Sequence, residues 1–133
     1  MRVEPSRPSA LMWAWKVKVS KMIVAYITDL FSQADISQTA SEAGVEIKVI
    51  SSLYKFLPEI EAKPSAVLVD LNAQGISPTA LIVQVKQRNP QLPVIAYGQN
   101  TTIAVLHGAR KAGADHILEE SEDSLSEVLK KFS

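Results

Sequence analysis

The chain has 133 residues, which is enough for one domain with a buried core. It has no cysteine, and this excludes disulfides, thiolate catalysis and cysteine-based metal sites. Its two histidines, His107 and His116, cannot form a three-ligand metal site without carboxylates. The net charge is zero, but residues 1–21 carry +4 and residues 22–133 carry −4. An acidic domain is a poor partner for nucleic acid, because that affinity depends on clustered Lys and Arg.

No apolar run approaches the roughly 18–20 residues that a membrane-spanning helix needs. The short apolar stretch Ala10–Trp15 is followed by no small-residue cleavage site, so the sequence does not predict a signal peptide there. We therefore expect a cytoplasmic protein without membrane contact.

The N-terminal extension, residues 1–21, has two different patterns. Residues 2–8 contain two prolines and several polar residues, which predicts disorder. Further on, Trp13, Trp15, Val17 and Val19 alternate with smaller or polar residues, as in a β-strand. This part could extend the first strand of the domain, add to a partner's sheet edge, or precede a translation start at Met22.

From Met22 onward, strand-like and helix-like patterns alternate along the chain. Strands are predicted at residues 22–27, 45–49, 66–70, 92–97 and 116–118. Helices are predicted from residue 30 to Gly44, from Ser51 or Ser52, from Ser77-Pro78 to Asn89, from Thr101 or Thr102 to Ala112, and from Ser121 to Phe132. Thr28 and Asp29 are suited to capping the first helix. Such alternation predicts right-handed crossovers and a parallel sheet covered on both faces.

The burial pattern of the strands predicts their order in the sheet. The first, third and fourth strands are apolar throughout, whereas the second alternates and the fifth is short. Buried strands belong in the middle, so the order 2-1-3-4-5 follows, which is the flavodoxin-like doubly wound fold. Its ligand crevice lies at the carboxyl ends of the strands, where the sequence places Thr28, Asp29, Asp70, Leu71, Asn72, Gly98 and Glu120.

Asp70 ends the third strand and has two interpretations. Its carboxylate could accept backbone N–H groups of its own loop and stabilise the crossover. Alternatively, it could be a functional group at the crevice.

Several segments together resemble the receiver domain of bacterial two-component response regulators. The resemblance follows the element order from about Met22 to Phe132 and is densest from Asp70 to Asp115. It is carried by Ala66-Val67-Leu68-Val69-Asp70-Leu71-Asn72, Gly75, Arg88-Asn89-Pro90, Leu92-Pro93-Val94-Ile95-Ala96 and Ala112-Gly113-Ala114-Asp115.

This resemblance implies particular roles for the crevice residues. Receivers take a phosphoryl group from a histidine kinase on the aspartate that matches Asp70. They hold Mg²⁺ with acidic residues after the first strand, of which Asp29 matches one, and with the phosphoacceptor itself. The backbone carbonyl at the position that matches Asn72 is a further metal ligand in receivers.

Four positions depart from the receiver pattern. Thr28 stands in place of the first acidic residue of the pair, and Gly98 in place of the Ser or Thr that contacts the phosphoryl group. Ile117 replaces the switch aromatic, and Glu120 replaces the lysine, followed by Ser121 where receivers usually have proline.

The exchange of lysine for Glu120 predicts repulsion from a phosphorylated Asp70 where receivers have attraction. A further interpretation is that Asp29, Asp70 and Glu120 form a carboxylate cluster. Such a cluster would raise one pKa and could bind a divalent cation without phosphoryl transfer.

The main interpretation is a stand-alone receiver-like signalling domain that acts as a phosphorylation-independent protein-interaction module and not as an enzyme. No effector domain is expected, because the chain ends with the fifth helix. The partner would be a histidine kinase or a downstream signalling protein, bound by the last helices and strands, and a homodimer is a further option. The first alternative is a genuine single-domain regulator phosphorylated on Asp70 with Mg²⁺. The second is an enzyme or small-molecule site at the same crevice.

Overall fold

The computed structural model describes residues 22–98 and 101–133. The predicted disorder or extra strand in residues 1–21 lies outside these residues. The described part contains five strands, which are β1 (Ile23–Tyr26), β2 (Ile47–Ile50), β3 (Ala66–Asp70), β4 (Val94–Tyr97) and β5 (His116–Ile117). It also contains five α-helices, which are α1 (Leu30–Ala43), α2 (Leu53–Glu61), α3 (Pro78–Arg88), α4 (Ile103–Ala112) and α5 (Leu125–Phe132), with a 3₁₀ turn over Leu118–Glu120.

The strands form one parallel sheet in the order β2-β1-β3-β4-β5, so the predicted flavodoxin-like order is confirmed. Every residue of β1, β3 and β4 is buried, whereas β2 is partly exposed along its length. The order therefore follows from the burial pattern of the strands, as expected for a sheet with helices on both faces.

Two apolar clusters hold the helices on the two faces of the sheet. The larger cluster lies between the sheet and helices α2, α3 and α4, and Phe56 is its largest fully buried side chain. The Phe56 ring packs edge-on against Tyr26 of β1, with centroids 5.2 Å apart. The second cluster lies under α1 and α5 and includes Ile36, Val128 and Leu129. Both faces are thus covered, and the crossovers place every helix start at the carboxyl edge of the sheet.

The predicted helix boundaries are mostly confirmed at the caps. Asp29, Ser77 and Thr102 accept backbone N–H bonds at the starts of α1, α3 and α4. Gly44 and Gly113 end α1 and α4 in the left-handed conformation, which glycine adopts without strain.

The last predicted strand and helix need correction. Leu118 belongs to the 3₁₀ turn and not to β5, and α5 begins at Leu125 and not near Ser121. The reason is a capping box in which Ser124 and Glu127 bond to each other's backbone N–H groups, which fixes the helix start there.

His116, at the start of β5, is partly buried. Its ring packs against Phe132 of α5, with centroids 5.7 Å apart. The Nε2 atom is buried and has no hydrogen-bond partner in the described part of the chain. His107 is exposed on α4.

Candidate functional site

Asp70 is buried at the carboxyl end of β3, where the sequence placed it, with 2% of its surface exposed. It is paired in register with Tyr97, the last residue of β4. Its Oδ1 atom accepts a hydrogen bond of 2.9 Å from the backbone N–H of Asn72. The loop-stabilising interpretation of Asp70 is therefore realised, and it leaves the second carboxylate oxygen for another contact.

The charge of Asp70 is held in an unfavourable environment. Burial raises the pKa of the Asp70 carboxyl above its ordinary value, the hydrogen bond from the Asn72 N–H opposes that rise, and the nearby Asp29 charge adds to it. The charged neighbour that perturbs Asp70 is thus another carboxylate and not a cation.

Asp29 follows β1 and caps helix α1. Its Oδ2 atom accepts hydrogen bonds from the Ser32 N–H at 2.8 Å and from the Ser32 hydroxyl at 3.0 Å. One oxygen of the carboxylate therefore satisfies the start of the helix.

Thr28 has a different partner from the one that its sequence position suggested. Its Oγ1 atom accepts a 2.9 Å hydrogen bond from the backbone N–H of Gln74, in the loop after β3. The Gln74 side-chain amide in turn donates to the Asn72 carbonyl at 3.4 Å. A hydroxyl therefore ties the β1 end to the β3 loop, where receivers have an acidic residue.

Gly98 is buried after β4, and the space beside it is filled. A Cβ atom at this position would lie 2.8 Å from the Thr101 methyl and 3.2 Å from Cβ of Leu71. The Thr101 hydroxyl donates to Glu119 at 2.8 Å. A hydroxyl-bearing side chain at position 98 would thus need Thr101 to move.

Glu120 lies in the 3₁₀ turn after β5 and forms an ion pair with Arg110 of α4. In the described residues, no group of three or more histidine, aspartate or glutamate side chains is placed to hold a metal ion. The predicted cluster of Asp29, Asp70 and Glu120 is therefore wrong, because Arg110 draws Glu120 into an ion pair of its own. Asp29 and Asp70 remain as the two interacting carboxylates.

Ile117 is buried in the cluster that holds α2, α3 and α4 against the sheet. An aliphatic side chain in this place fills core volume, so it does not have the two positions, in and out, of the receiver aromatic.

Some contacts could not be read from the sequence. The Thr28–Gln74, Thr101–Glu119 and Arg110–Glu120 pairs join residues 46, 18 and 10 positions apart in the chain. The sequence shows a run of acidic residues at Glu119, Glu120, Glu122 and Asp123, which is typical of the N-terminus of a helix and indicates no ion-pair partner.

No protein-family model matches the chain, and no curated protein matches its sequence. Solved structures do match it. A putative response regulator from Chloroflexus aurantiacus has a TM-score of 0.71 at 20% identity, over 84% of this chain and 93% of that one. A receiver domain protein from Methanospirillum hungatei has a TM-score of 0.69 at 18% identity, over 84% and 90%.

The chain has the response regulator receiver fold. A further match, a response regulator from Burkholderia pseudomallei, was solved with a phosphorylated aspartic acid, a calcium ion and citrate. It is 18% identical over 86% of this chain and 67% of that one, with a TM-score of 0.70. At these identities the likeness concerns the receiver fold, and the chemistry of the crevice has to be argued from its own side chains.

In the described residues no helix is long and apolar enough to cross a membrane.

Proposed function

We propose that this receiver-fold domain signals by binding protein partners through its surface, without phosphoryl transfer at Asp70. The observation that carries the proposal is the position after β5. Receivers have a lysine there, and this chain has Glu120 in an ion pair with Arg110.

The electrostatic consequence is large. A phosphoryl group on aspartate carries about −1.5 to −2 charges at neutral pH, in place of the single charge of the carboxylate. On Asp70 this charge would meet the Asp29 carboxylate. A lysine at about 5 Å would contribute about 3 kcal/mol of attraction at an effective dielectric constant of 20. Glu120 cannot supply it.

The position after β4 supports the same conclusion. Gly98 has no hydroxyl to donate to a phosphoryl oxygen, and the Thr101 methyl fills the adjacent space. The Thr101 hydroxyl is already donated to Glu119. The hydrogen bond that receivers use to stabilise the phosphorylated state has no counterpart at Gly98.

A genuine single-domain regulator, phosphorylated on Asp70 with Mg²⁺, is the second candidate. It is favoured by the repulsion between Asp29 and Asp70, which a divalent cation would relieve. Asp29, Asp70 and the Asn72 carbonyl are oxygen ligands of the kind that Mg²⁺ takes. When bound, the ion would neutralise charge at the acceptor. However, one oxygen of each carboxylate accepts an N–H bond, and the Asn72 carbonyl accepts the Gln74 amide.

The receiver fold also suggests which face of the domain binds a partner. We propose that the face formed by α4, β5 and α5 binds a histidine kinase, a downstream signalling protein or a second copy of the chain. Ile103, at the start of α4, is 84% exposed and would gain buried area there. We propose neither enzyme activity nor nucleic-acid binding for this domain. Its cytoplasmic location stays a prediction.

Beryllofluoride, which mimics a phosphoryl group on aspartate, tests the proposal by NMR. We expect no saturable amide shift at Asp70, Asn72 or Gly98 when beryllofluoride and Mg²⁺ are added to the wild type. Mg²⁺ alone, added first, separates metal binding from acceptor chemistry. Saturable shifts with beryllofluoride that vanish in Asp70→Asn would establish the second candidate instead.

A further inference from the structure

Strand β2 is one of the two edge strands of the sheet, and its backbone groups alternate between two directions. The carbonyls of Glu46 and Ile50 accept N–H groups of β1 and of the residue that follows it, so they point toward β1. Successive residues of a strand point these groups to opposite sides. The N–H and C=O groups of Ile47 and Val49 therefore point away from β1, along the outer edge of the described sheet.

The side chains along β2 also alternate, and the two sets differ in character. Ile47 and Val49 are partly buried and pack against the cluster under α1 and α5. Glu46 and Lys48 are exposed and lie on the face of Ile50, which belongs to the cluster under α2. Among the described residues, Glu46 forms no ion pair. The edge strand thus carries two opposite charges, two positions apart, on one face.

Charged side chains on an edge strand commonly prevent it from pairing with another strand. Here the charges have opposite signs, so they oppose some pairings and favour one. We propose that two copies of this chain pair through the outer edges of β2 and form one continuous ten-stranded sheet. In this dimer Glu46 of each copy lies opposite Lys48 of the other.

The symmetry of a homodimer and the direction of the backbone groups set the register. A twofold axis makes the two edge strands antiparallel. The axis that passes between the two Ile47 residues lets each Ile47 N–H donate to the other Ile47 carbonyl. The Val49 N–H then donates to the Val45 carbonyl of the second copy. These are the residues whose backbone groups point outward, as a hydrogen-bonded antiparallel pair requires.

In this register the side chains match on both faces of the sheet. Ile47 lies beside its own copy, and Val49 lies beside Val45, so apolar side chains meet on the face of α1 and α5. On the other face Glu46 lies directly opposite Lys48, in the non-hydrogen-bonded pairs whose side chains are closest. A shift to the next twofold register would place Lys48 opposite Lys48 or Glu46 opposite Glu46. Charge therefore favours the register centred on Ile47.

A groove beside β2, on the face of α2, fits the same arrangement. Its volume is about 510 Å³, and its lining includes Lys48, Lys55 and Glu59. Lys48 Nζ lies 2.7 Å from Glu59, and an ammonium group has three donors, so Lys48 can bond to a second carboxylate. Two lysines and one glutamate give the groove a net positive charge, which Glu46 of the second copy balances.

The dimer goes beyond the proposed function and does not depend on the chemistry of Asp70. Strands β2 and β5 are at opposite edges of the sheet. The α4–β5–α5 faces of the two copies therefore lie at the two ends of the ten-stranded sheet. Pairing through β2 leaves both of these faces to a histidine kinase or a downstream signalling protein.

Charge-reversal variants test the dimer by sedimentation over a concentration series. We expect the wild type to dimerise as its concentration rises. In Glu46→Lys two lysines face each other in both symmetric pairs, and in Lys48→Glu two glutamates do. We expect the dissociation constant of each variant's dimer to rise about thirtyfold. An equimolar mixture of the two variants has opposite charges in both pairs, and it should form a heterodimer about as tightly as the wild type dimerises.

Lys111→Glu and Glu122→Lys are the matched controls, because they make the same charge changes at exposed residues far from β2. Each should dimerise as the wild type does. A wild type that stays monomeric throughout the series would overturn the proposal. A dimer that the controls weaken and the β2 variants do not would place the interface on the α4 face instead. A mixture of the two β2 variants that stays monomeric would overturn the pairing of Glu46 with Lys48.

Cysteine cross-linking provides a second measurement, since the chain has no cysteine of its own. A mixture of Glu46→Cys and Lys48→Cys places two Cβ atoms directly opposite each other, about 5 Å apart. We expect a disulfide-linked heterodimer, identified by its mass. In Glu46→Cys alone the two cysteines are diagonal neighbours, about 7–8 Å apart, and should link more slowly. Equal rates in the mixture and in Glu46→Cys alone would overturn the register.

Discussion

Replacing Asp70 with asparagine is expected to increase the free energy of unfolding at neutral pH. Asparagine keeps an oxygen that can accept the Asn72 N–H, and it removes a charge that burial and Asp29 disfavour. The gain should depend on pH. The pKa of Asp70 is higher in the folded than in the unfolded protein, so wild-type stability relative to the variant is greatest below the unfolded value. It is lost as the pH rises through the folded value.

Urea denaturation of both proteins over a pH series measures this effect. At a pH well below about 3.9, the ordinary value of an aspartate, the two proteins should be similar. The advantage of Asp70→Asn should then grow with pH and level off. An advantage that does not change with pH would contradict the assigned cause.

Asp70→Ala is the matched control for the hydrogen bond. Alanine removes the same charge but leaves the Asn72 N–H without its acceptor. We expect it to be less stable than Asp70→Asn by about 2 kcal/mol, the cost of an unsatisfied donor plus lost packing. Equal stability of the two variants would show that the Asn72 bond contributes nothing.

Gly98→Ala is expected to lower the free energy of unfolding by about 1–3 kcal/mol, the usual cost of overpacking. The added Cβ meets the Thr101 methyl at 2.8 Å and Leu71 at 3.2 Å. Thr101 cannot turn away freely, because its hydroxyl is bonded to Glu119.

A double-mutant cycle with Thr101→Ser isolates this contact. Serine keeps the hydroxyl for Glu119 and lacks the methyl that clashes. The loss caused by Gly98→Ala should therefore be clearly smaller in the Thr101→Ser background. The same loss in both backgrounds would mean that Leu71 or the backbone, and not Thr101, excludes a side chain at position 98.

The fold could be predicted from the sequence because its signals are local. Apolar strands, glycine stops and capping residues each act over a few positions, and the burial of three strands fixed their central place in the sheet. The boundaries of the last strand and the last helix were not predicted correctly. Leu118 is apolar and follows a strand, but the Ser124–Glu127 capping box starts α5 late and leaves a 3₁₀ turn between.

The sequence predicted where the candidate site lies, but not which contacts its residues make. The position of Asp70 follows from the end of β3, and Asp29 from the end of β1. Their partners do not follow, because hydrogen bonds such as Thr28 to Gln74 cross from one loop to another. The likeness to receivers predicted repulsion between Glu120 and Asp70, and Arg110, which lies on a different element, changes that prediction. The position of a charged side chain depends on its neighbours in space, and a single sequence does not show which residues these are.

We propose above all that Asp70 is not a phosphoacceptor in this chain. Its most direct test is the intact mass of the protein after incubation with acetyl phosphate and Mg²⁺, followed by rapid acid quench, for the wild type and Asp70→Asn. We expect the same unmodified mass distribution in both proteins. A species heavier by one phosphoryl group, formed by the wild type and not by Asp70→Asn, would contradict it.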